Sequence, residues 1–426
     1  MSLIIKNATV IDAKTKIDNT LDILIEGKKI AKIGKNIKVK DADVYDAKNL
    51  VAAAGFVDLH VHLREPGFEY KETVLSGSKA AAAGGFTTVC CMPNTNPVID
   101  NQGVVEFILS QSKKAGLINV LPVGAITKGS LGEELSEIGE LKDAGVVAIS
   151  DDGKPVSNPE IMRRAMEYAG MLQLPVIAHS EDTDLSAGGV MNEGYMSTKL
   201  GLKGITRVAE ISMISRDIEL ARYTGAHLHI AHVSCRESIQ IIREAKKSGV
   251  NITCECTPHH FSLTDEALEN YDTNTKVNPP LRGIDDVKAV LAGLKDGTID
   301  CIATDHAPHS EAEKDVEFDY APFGIIGLET ALALGISNLV ETGILTLNQL
   351  MEKMSYNPAK IISINKGYIE VGADADITVF DPKRKWEVSE LGFFSKSKNS
   401  PFIGQTLTGR VVLTIAQGRN VFALDE

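Results

Sequence analysis

Two histidines stand two residues apart in GFVDLHVHLREPG, His60 and His62. On an extended strand alternate side chains leave the same face, with Cα atoms roughly 6.6 Å apart, so two imidazoles can close on one cation at about 2.0–2.1 Å. Two polar side chains satisfied by backbone at a strand end would give the same letters; the Leu-Arg-Glu-Pro-Gly that follows the pair favours a metal. Further candidate ligands sit where later β-like runs end: Asp152 after VVAIS, His179 after PVIA, His232 after HLHIA, and Asp305 in CIATDHAPH. Such nitrogen and oxygen donors suit zinc, and manganese, cobalt or iron could also occupy them. Four histidines and two carboxylates exceed the needs of one tetrahedral ion. Two adjacent metals sharing Asp152 are the economical reading.

The remaining histidines need sorting. His227 and His229 form a second HxH pair, but on a regular strand His232 shares its face with Leu228 and Ile230, so at most one set faces a barrel interior. His232, nearest the strand end, is the preferred ligand, and His227 and His229 are expected to be structural. His259 and His260 follow Pro258 and read as loop-packing groups or supports of the site, and His306 reads as structural. Cys254 and Cys256 point the same way from one strand and could bind a soft metal, although buried thiols are the simpler reading.

What must position these groups is a scaffold of repeated units. From Gly55 to His309 short β-branched runs alternate with helical patterns, and eight runs can be counted: 55 to 62, 87 to 93, 119 to 127, 146 to 152, 175 to 182, 227 to 234, 252 to 260 and 300 to 309. Eight strands with crossover helices fit a (β/α)8 TIM-type barrel over 54 to 364, whose chemistry belongs at the C-terminal rim. The flanks, 1 to 53 and 365 to 426, carry short alternating strands and no histidine; they are expected to join as one small composite β domain. A formal net charge of -13 disfavours nucleic acid and anionic membrane surfaces as partners. The first residues lack the apolar core of a signal peptide, no run has the length of a membrane span, and six cysteines are too few for a disulfide scaffold, so a cytoplasmic protein is expected.

HVHLREPG, GGFTTVCCMPNTNP, SDDGKPV, AHSED, HIAHVS, TPHH, NPPLR and ATDHAPH occur in the order found in type I dihydroorotases of the amidohydrolase superfamily, and over nearly the whole chain the sequence resembles that family. The resemblance implies zinc, one or two ions with two favoured, held by His60, His62, Asp152, His179, His232 and Asp305. It implies reversible hydrolysis of dihydroorotate to N-carbamoyl-aspartate in pyrimidine synthesis. Arg64, Asn94 and His309 would hold the substrate carboxylate, and Asn278 with the backbone near Phe323 and Gly324 would meet the ring. Arg64 can grip a carboxylate through two parallel donors. Asn94 could instead cap a turn, and Asn278 could merely precede a proline. Asp305 would carry a proton from the attacking water to the departing amide nitrogen. The resemblance also allows a homodimer or a complex with aspartate carbamoyltransferase.

One departure separates this chain from dihydropyrimidinases, hydantoinases and type II dihydroorotases, which bridge two metals with a carboxylated lysine. AGVVAISDDGKPV has no lysine on its strand, and Lys154 follows beyond Asp152, so an aspartate bridge is expected. Two other readings compete: a hydrolase of neutral rings such as an allantoinase or dihydropyrimidinase, against which Arg64 and Asn94 argue, and an inactive barrel serving as a scaffold. The loop from Lys276 to Arg282 and the stretch 310 to 320 flank the rim and could move over substrate.

Overall fold

The computed structural model describes residues 2–424. Segments from both flanks form a single eight-stranded sheet. Ser2–Asp12, Ile17–Glu26 and Lys29–Gly34 run as an antiparallel meander. Its second turn is made by Gly27 at φ +61, a left-handed conformation that glycine adopts freely. Val51–Ala54 then pairs in parallel with Thr9–Ile11 and antiparallel with Ile377–Phe380, which stitches the two ends of the sequence together. From Ala54 the chain passes through Gly55 into the barrel. A Cβ at Gly55 would lie 2.2 Å from the Thr87 hydroxyl, so only glycine permits this close crossing.

The barrel is laid out as parallel arcs of three and six strands. Phe56–Val61, Phe86–Cys91 and Asn119–Pro122 make the first arc. The third strand runs on as Gly124–Ala125 into the second arc, which continues through Ile149–Ser150, Val176–Ala178, Leu228–Ile230, Ile252–Cys256 and Cys301–Ile302. The ring closes where Val61 bridges His306 and the His62 amide donates to the His306 carbonyl at 2.8 Å. Asp58 reinforces the seam by accepting from the Thr304 hydroxyl at 2.6 Å. Strands covered on both faces are expected to be apolar throughout, and every residue of Phe56–Val61 is buried. The surrounding helices start at polar caps: Thr73 accepts from the Ser76 amide and Asn101 from the Val104 amide, filling donors the first turn leaves open.

At the start of the first two strands Phe56 meets Phe86 edge-on at 5.5 Å between centroids and Phe380 of the composite sheet at 6.5 Å. All three rings are fully buried, so this contact seats the sheet on the barrel end remote from the rim.

Several strands are shorter than the apolar runs suggested, because the chain turns out of the sheet before its polar residues. His232 (φ 33), Asp305 (φ 49) and Arg64 (φ 63) all adopt left-handed backbone, uncommon for residues with a Cβ. This corrects the alternation argument for HLHIAHVS. The strand ends at Ile230, the reversal at His232 resets the facing, and both His229 and His232 point into the barrel. All six cysteines are buried and unpaired; Cys254 gives its thiol hydrogen to the Thr298 carbonyl at 3.3 Å rather than joining Cys256. Among the described residues no helix is long and apolar enough to cross a membrane.

Candidate active site

Six side chains from five strand ends come together, with Asp152 at their centre. Its Oδ2 lies 3.2 Å from His60 Nε2 and 3.5 Å from His62 Nε2, while its Oδ1 lies 3.3 Å from His179 Nδ1 and 3.4 Å from His232 Nε2. Asp305 Oδ1 completes the first group at 3.2 Å from His62 Nε2 and 3.5 Å from His60 Nε2. In the second, His179 Nδ1 and His232 Nε2 stand 3.0 Å apart. Ligands at about 2.0–2.1 Å from a tetrahedral ion are separated by roughly 3.3–3.4 Å, which is the spacing seen here. His60 Nε2 and Asp152 Oδ1 are fully buried and have no aligned hydrogen-bond partner, an arrangement that loses several kcal/mol unless a cation takes the lone pairs. The donor set therefore fits a divalent metal cofactor.

The opposite ring nitrogens show how the histidines are aimed. His60 Nδ1 donates to Glu255 Oε1 at 2.9 Å, His62 Nδ1 to Asn94 Oδ1 at 2.8 Å, and His179 Nε2 to Glu181 Oε2 at 3.2 Å. Each bond fixes a tautomer and turns the other nitrogen, as a lone pair, toward Asp152. His232 Nδ1 is buried without such a partner. Burial opposes the charge on Asp152 and Asp305, yet positive charge on the surrounding imidazoles, a role a bound cation would take over, holds both carboxyls below their usual range. Burial likewise opposes Glu255, which His229 and His60 bring down to about 2. Both acids of the donor set and their carboxylate support are thus ionised at neutral pH.

Beside the donors lies a cavity of about 190 Å³ bordered by Arg64, Asn94, Asn278, His309, Phe323 and Gly324. Arg64 is buried and gives its Nε hydrogen to the Pro308 carbonyl at 3.1 Å, which leaves the guanidinium facing the cavity with no carboxylate salt bridge among the described residues. His309 donates from Nε2 to the Phe323 carbonyl at 2.9 Å, and Lys71 Nζ approaches its Nδ1 at 3.3 Å. Burial and the cations Arg64, Lys71 and Lys314 push His309 down to about 2, so it is a neutral hydrogen-bonding group. Asn278 donates its amide to Glu181 at 2.8 Å, and the Phe323–Gly324 turn brings its backbone to the same wall.

Three groups escaped the reading of the sequence. Glu255 sits between two cysteines in ITCECTPHH and joins His60 to His229, with Cys301 close by. Glu181 in AHSED links His179 to Asn278. An acid inside an otherwise apolar strand, and an acid two residues after a candidate ligand, were the available signals. Asn399, the third, had no local signal. His259 and His260 are buried behind the donors, His260 between the Thr257 hydroxyl and the Pro279 carbonyl. His306 faces Glu72 at 3.4 Å, and Lys154 lies outside the cavity wall. Both rim segments are anchored from below: Lys276 Nζ caps the Phe318 and Asp319 carbonyls, and Arg282 pairs with Glu210 at 3.4 Å.

The barrel and its composite sheet superpose on L-hydantoinase from Arthrobacter aurescens with a TM-score of 0.87 and 27% identity, covering 100% of this chain and 97% of that one. Dihydropyrimidinase from Brevibacillus agri follows with a TM-score of 0.85 and 25% identity, covering 99% and 95%. Fold and site together define a barrel hydrolase of cyclic amides with a metal cofactor. The model of the family described as Dihydro-orotase-like matches residues 49–238. The dihydroorotase of Pelotomaculum thermopropionicum is 56% identical over 99% of this chain and 98% of its own length, and that of Geobacter metallireducens 55% identical over 99% and 100%. The chain belongs to the dihydroorotase family.

Proposed function

We propose that this chain catalyses the reversible hydrolysis of dihydroorotate to N-carbamoyl-aspartate in pyrimidine synthesis. The observation that carries the reading is the placement of buried Arg64, in direct salt bridge with no carboxylate among the described residues and with its Nη2 3.2 Å from neutral His309, on the wall of a cavity floored by the Asp152-centred donors. A cationic clamp beside a hydrolytic centre suits a ring that bears a carboxylate; a neutral ring would leave the guanidinium unanswered.

His60, His62 and Asp305 would hold one zinc ion and His179 and His232 a second, with one oxygen of Asp152 turned to each. When bound, such ions lower the pKa of water and polarise an amide carbonyl. Arg64, Asn94 and His309 anchor the carboxylate, and Asn278 with the Phe323–Gly324 backbone orients the ring. Asp305, held ionised, accepts the proton of the attacking water and delivers it to the amide nitrogen as the ring opens; closure runs in reverse. The resemblance to type I enzymes supports a cytoplasmic homodimer, alone or with aspartate carbamoyltransferase.

Metal content measured beside turnover of dihydroorotate, dihydrouracil and allantoin tests this reading. It expects bound zinc and a strong preference for dihydroorotate. Preference for a neutral ring would make the chain a dihydropyrimidinase-like enzyme, and absence of both metal and turnover would leave a scaffold.

A further inference from the structure

Ninety residues beyond His309, the C-terminal segment returns to the rim and buries Asn399 between two of its loops. The Asn399 side chain accepts from the His309 amide at 3.1 Å and donates to the carbonyls of Ala307 and Gly324, each at 3.1 Å. Its own carbonyl accepts from the Ile326 amide at 3.0 Å. One residue thus pairs four backbone groups on the two loops that present His309 and the Phe323–Gly324 turn to the cavity. Those loops are closely matched: a Cβ on Gly324, which has φ +128, would lie 2.7 Å from the Ala307 Cβ.

The residues before Asn399 hold a third loop. Ser395 donates to Glu72, the Lys396 amide donates to the other Glu72 oxygen at 3.2 Å, and the Ser397 hydroxyl donates to the Lys71 carbonyl at 2.7 Å. Lys71 in turn approaches His309 Nδ1, and the same loop begins at Arg64.

We infer that Asn399 is a positioning residue for the substrate-carboxylate clamp, setting His309 and Gly324 against Arg64 without touching substrate or the metal donors. The assignment of a carboxylate to that clamp rests on the proposed function. Removing the amide strands carbonyls that no other donor among the described residues reaches, so the loops must shift to rehydrate them. A shift there changes the grip on the carboxylate, while His60, His62, Asp152, His179 and His232 are borne on other strand ends and only Asp305 shares a loop with His309.

The test compares Asn399→Ala and Asn399→Asp with the wild type as full-length, metal-loaded proteins. Readouts are KM and kcat for dihydroorotate, metal content, and hydrogen–deuterium exchange of peptides spanning 305–309 and 323–327. Losing buried hydrogen bonds is expected to raise KM about tenfold in both variants, with kcat changed less than about threefold. Metal content stays at the wild-type level and exchange of both peptides accelerates. The aspartate keeps the volume and the acceptor for the His309 amide but has no hydrogens for the two carbonyls. A space-filling role would therefore leave that variant like the wild type, and wild-type KM and exchange in Asn399→Asp overturn the inference. So does a defect confined to metal content. If the wild type fails to turn over dihydroorotate, the proposed function fails by itself, and the exchange of the two peptides still decides the positioning role.

Discussion

His60 donates its Nδ1 hydrogen to Glu255 across 2.9 Å, and the second Glu255 oxygen accepts from His229 at 3.1 Å. The bond fixes which nitrogen of His60 faces Asp152, and the negative partner would raise its basicity toward a metal. Glu255→Gln keeps the shape but offers one acceptor to two histidines. Metal affinity is expected to fall about 10–100-fold, measured by competition with a chromophoric chelator. Wild-type affinity in this variant would remove Glu255 from the support of the centre.

Asp305 stands 3.2 Å from His62 and borders the cavity, the position the proposed proton shuttle requires. Asp305→Asn keeps a coordinating oxygen and loses the proton carrier. Turnover of dihydroorotate is expected to fall by about 10²–10⁴, with metal content assayed on the same sample. Near-wild-type turnover at full metal loading contradicts the shuttle role.

Arg64→Met tests charge recognition separately from chemistry. Loss of a charge-assisted contact to the substrate carboxylate should lower kcat/KM for dihydroorotate roughly 10–100-fold, chiefly through KM. Turnover of dihydrouracil, measured alongside, is expected to change much less. Equal losses on both rings would place Arg64 in the architecture of the loop rather than in recognition.

His260 carries a pH signature. Burial first, and then the charges around it, lower its pKa to about 4, below the roughly 6.5 of an unfolded histidine. Below pH 6.5 the unfolded chain takes up a proton that the folded chain refuses, so the stability contributed by neutral His260 is present above that pH and is lost as pH falls toward 4. The slope for one such group approaches 1.4 kcal/mol per pH unit. His260→Gln should melt lower at pH 7, and the gap to wild type should narrow steadily between pH 6.5 and 4.5 in thermal denaturation. Taking the difference between the two proteins cancels the metal-linked part. A gap independent of pH would mean that His260 takes up its proton as readily in the folded state as in the unfolded one.

The donors that converge on Asp152 were legible because their types are unusual at the ends of β-branched runs, and the repeated run-and-helix rhythm announces a barrel. Where the reading stopped, the reason is geometric. Alternation along HLHIAHVS assumes a continuous strand, and the left-handed turn at His232 breaks it, so His229 and His232 face inward together. Glu255 was passed over because a lone acid in an apolar strand identifies no partner, and both of its partners lie on other strands. Asn399 was invisible for a stronger reason: SKSKNSP is unremarkable polar sequence, and its meaning comes entirely from carbonyls 75 and 92 residues away.

The composite sheet also imposes an order in time. The chain is made from its amino end, so the first strands of the sheet and every donor from His60 to Asp305 leave the ribosome before the partner strand at Ile377–Phe380 and the two strands that follow it, and before Asn399. A growing chain acquires the groups proposed to capture metal while the proposed clamp at Arg64 and His309 still lacks its brace. Metal acquisition can therefore precede substrate competence during synthesis, and the last few dozen residues join the two capacities.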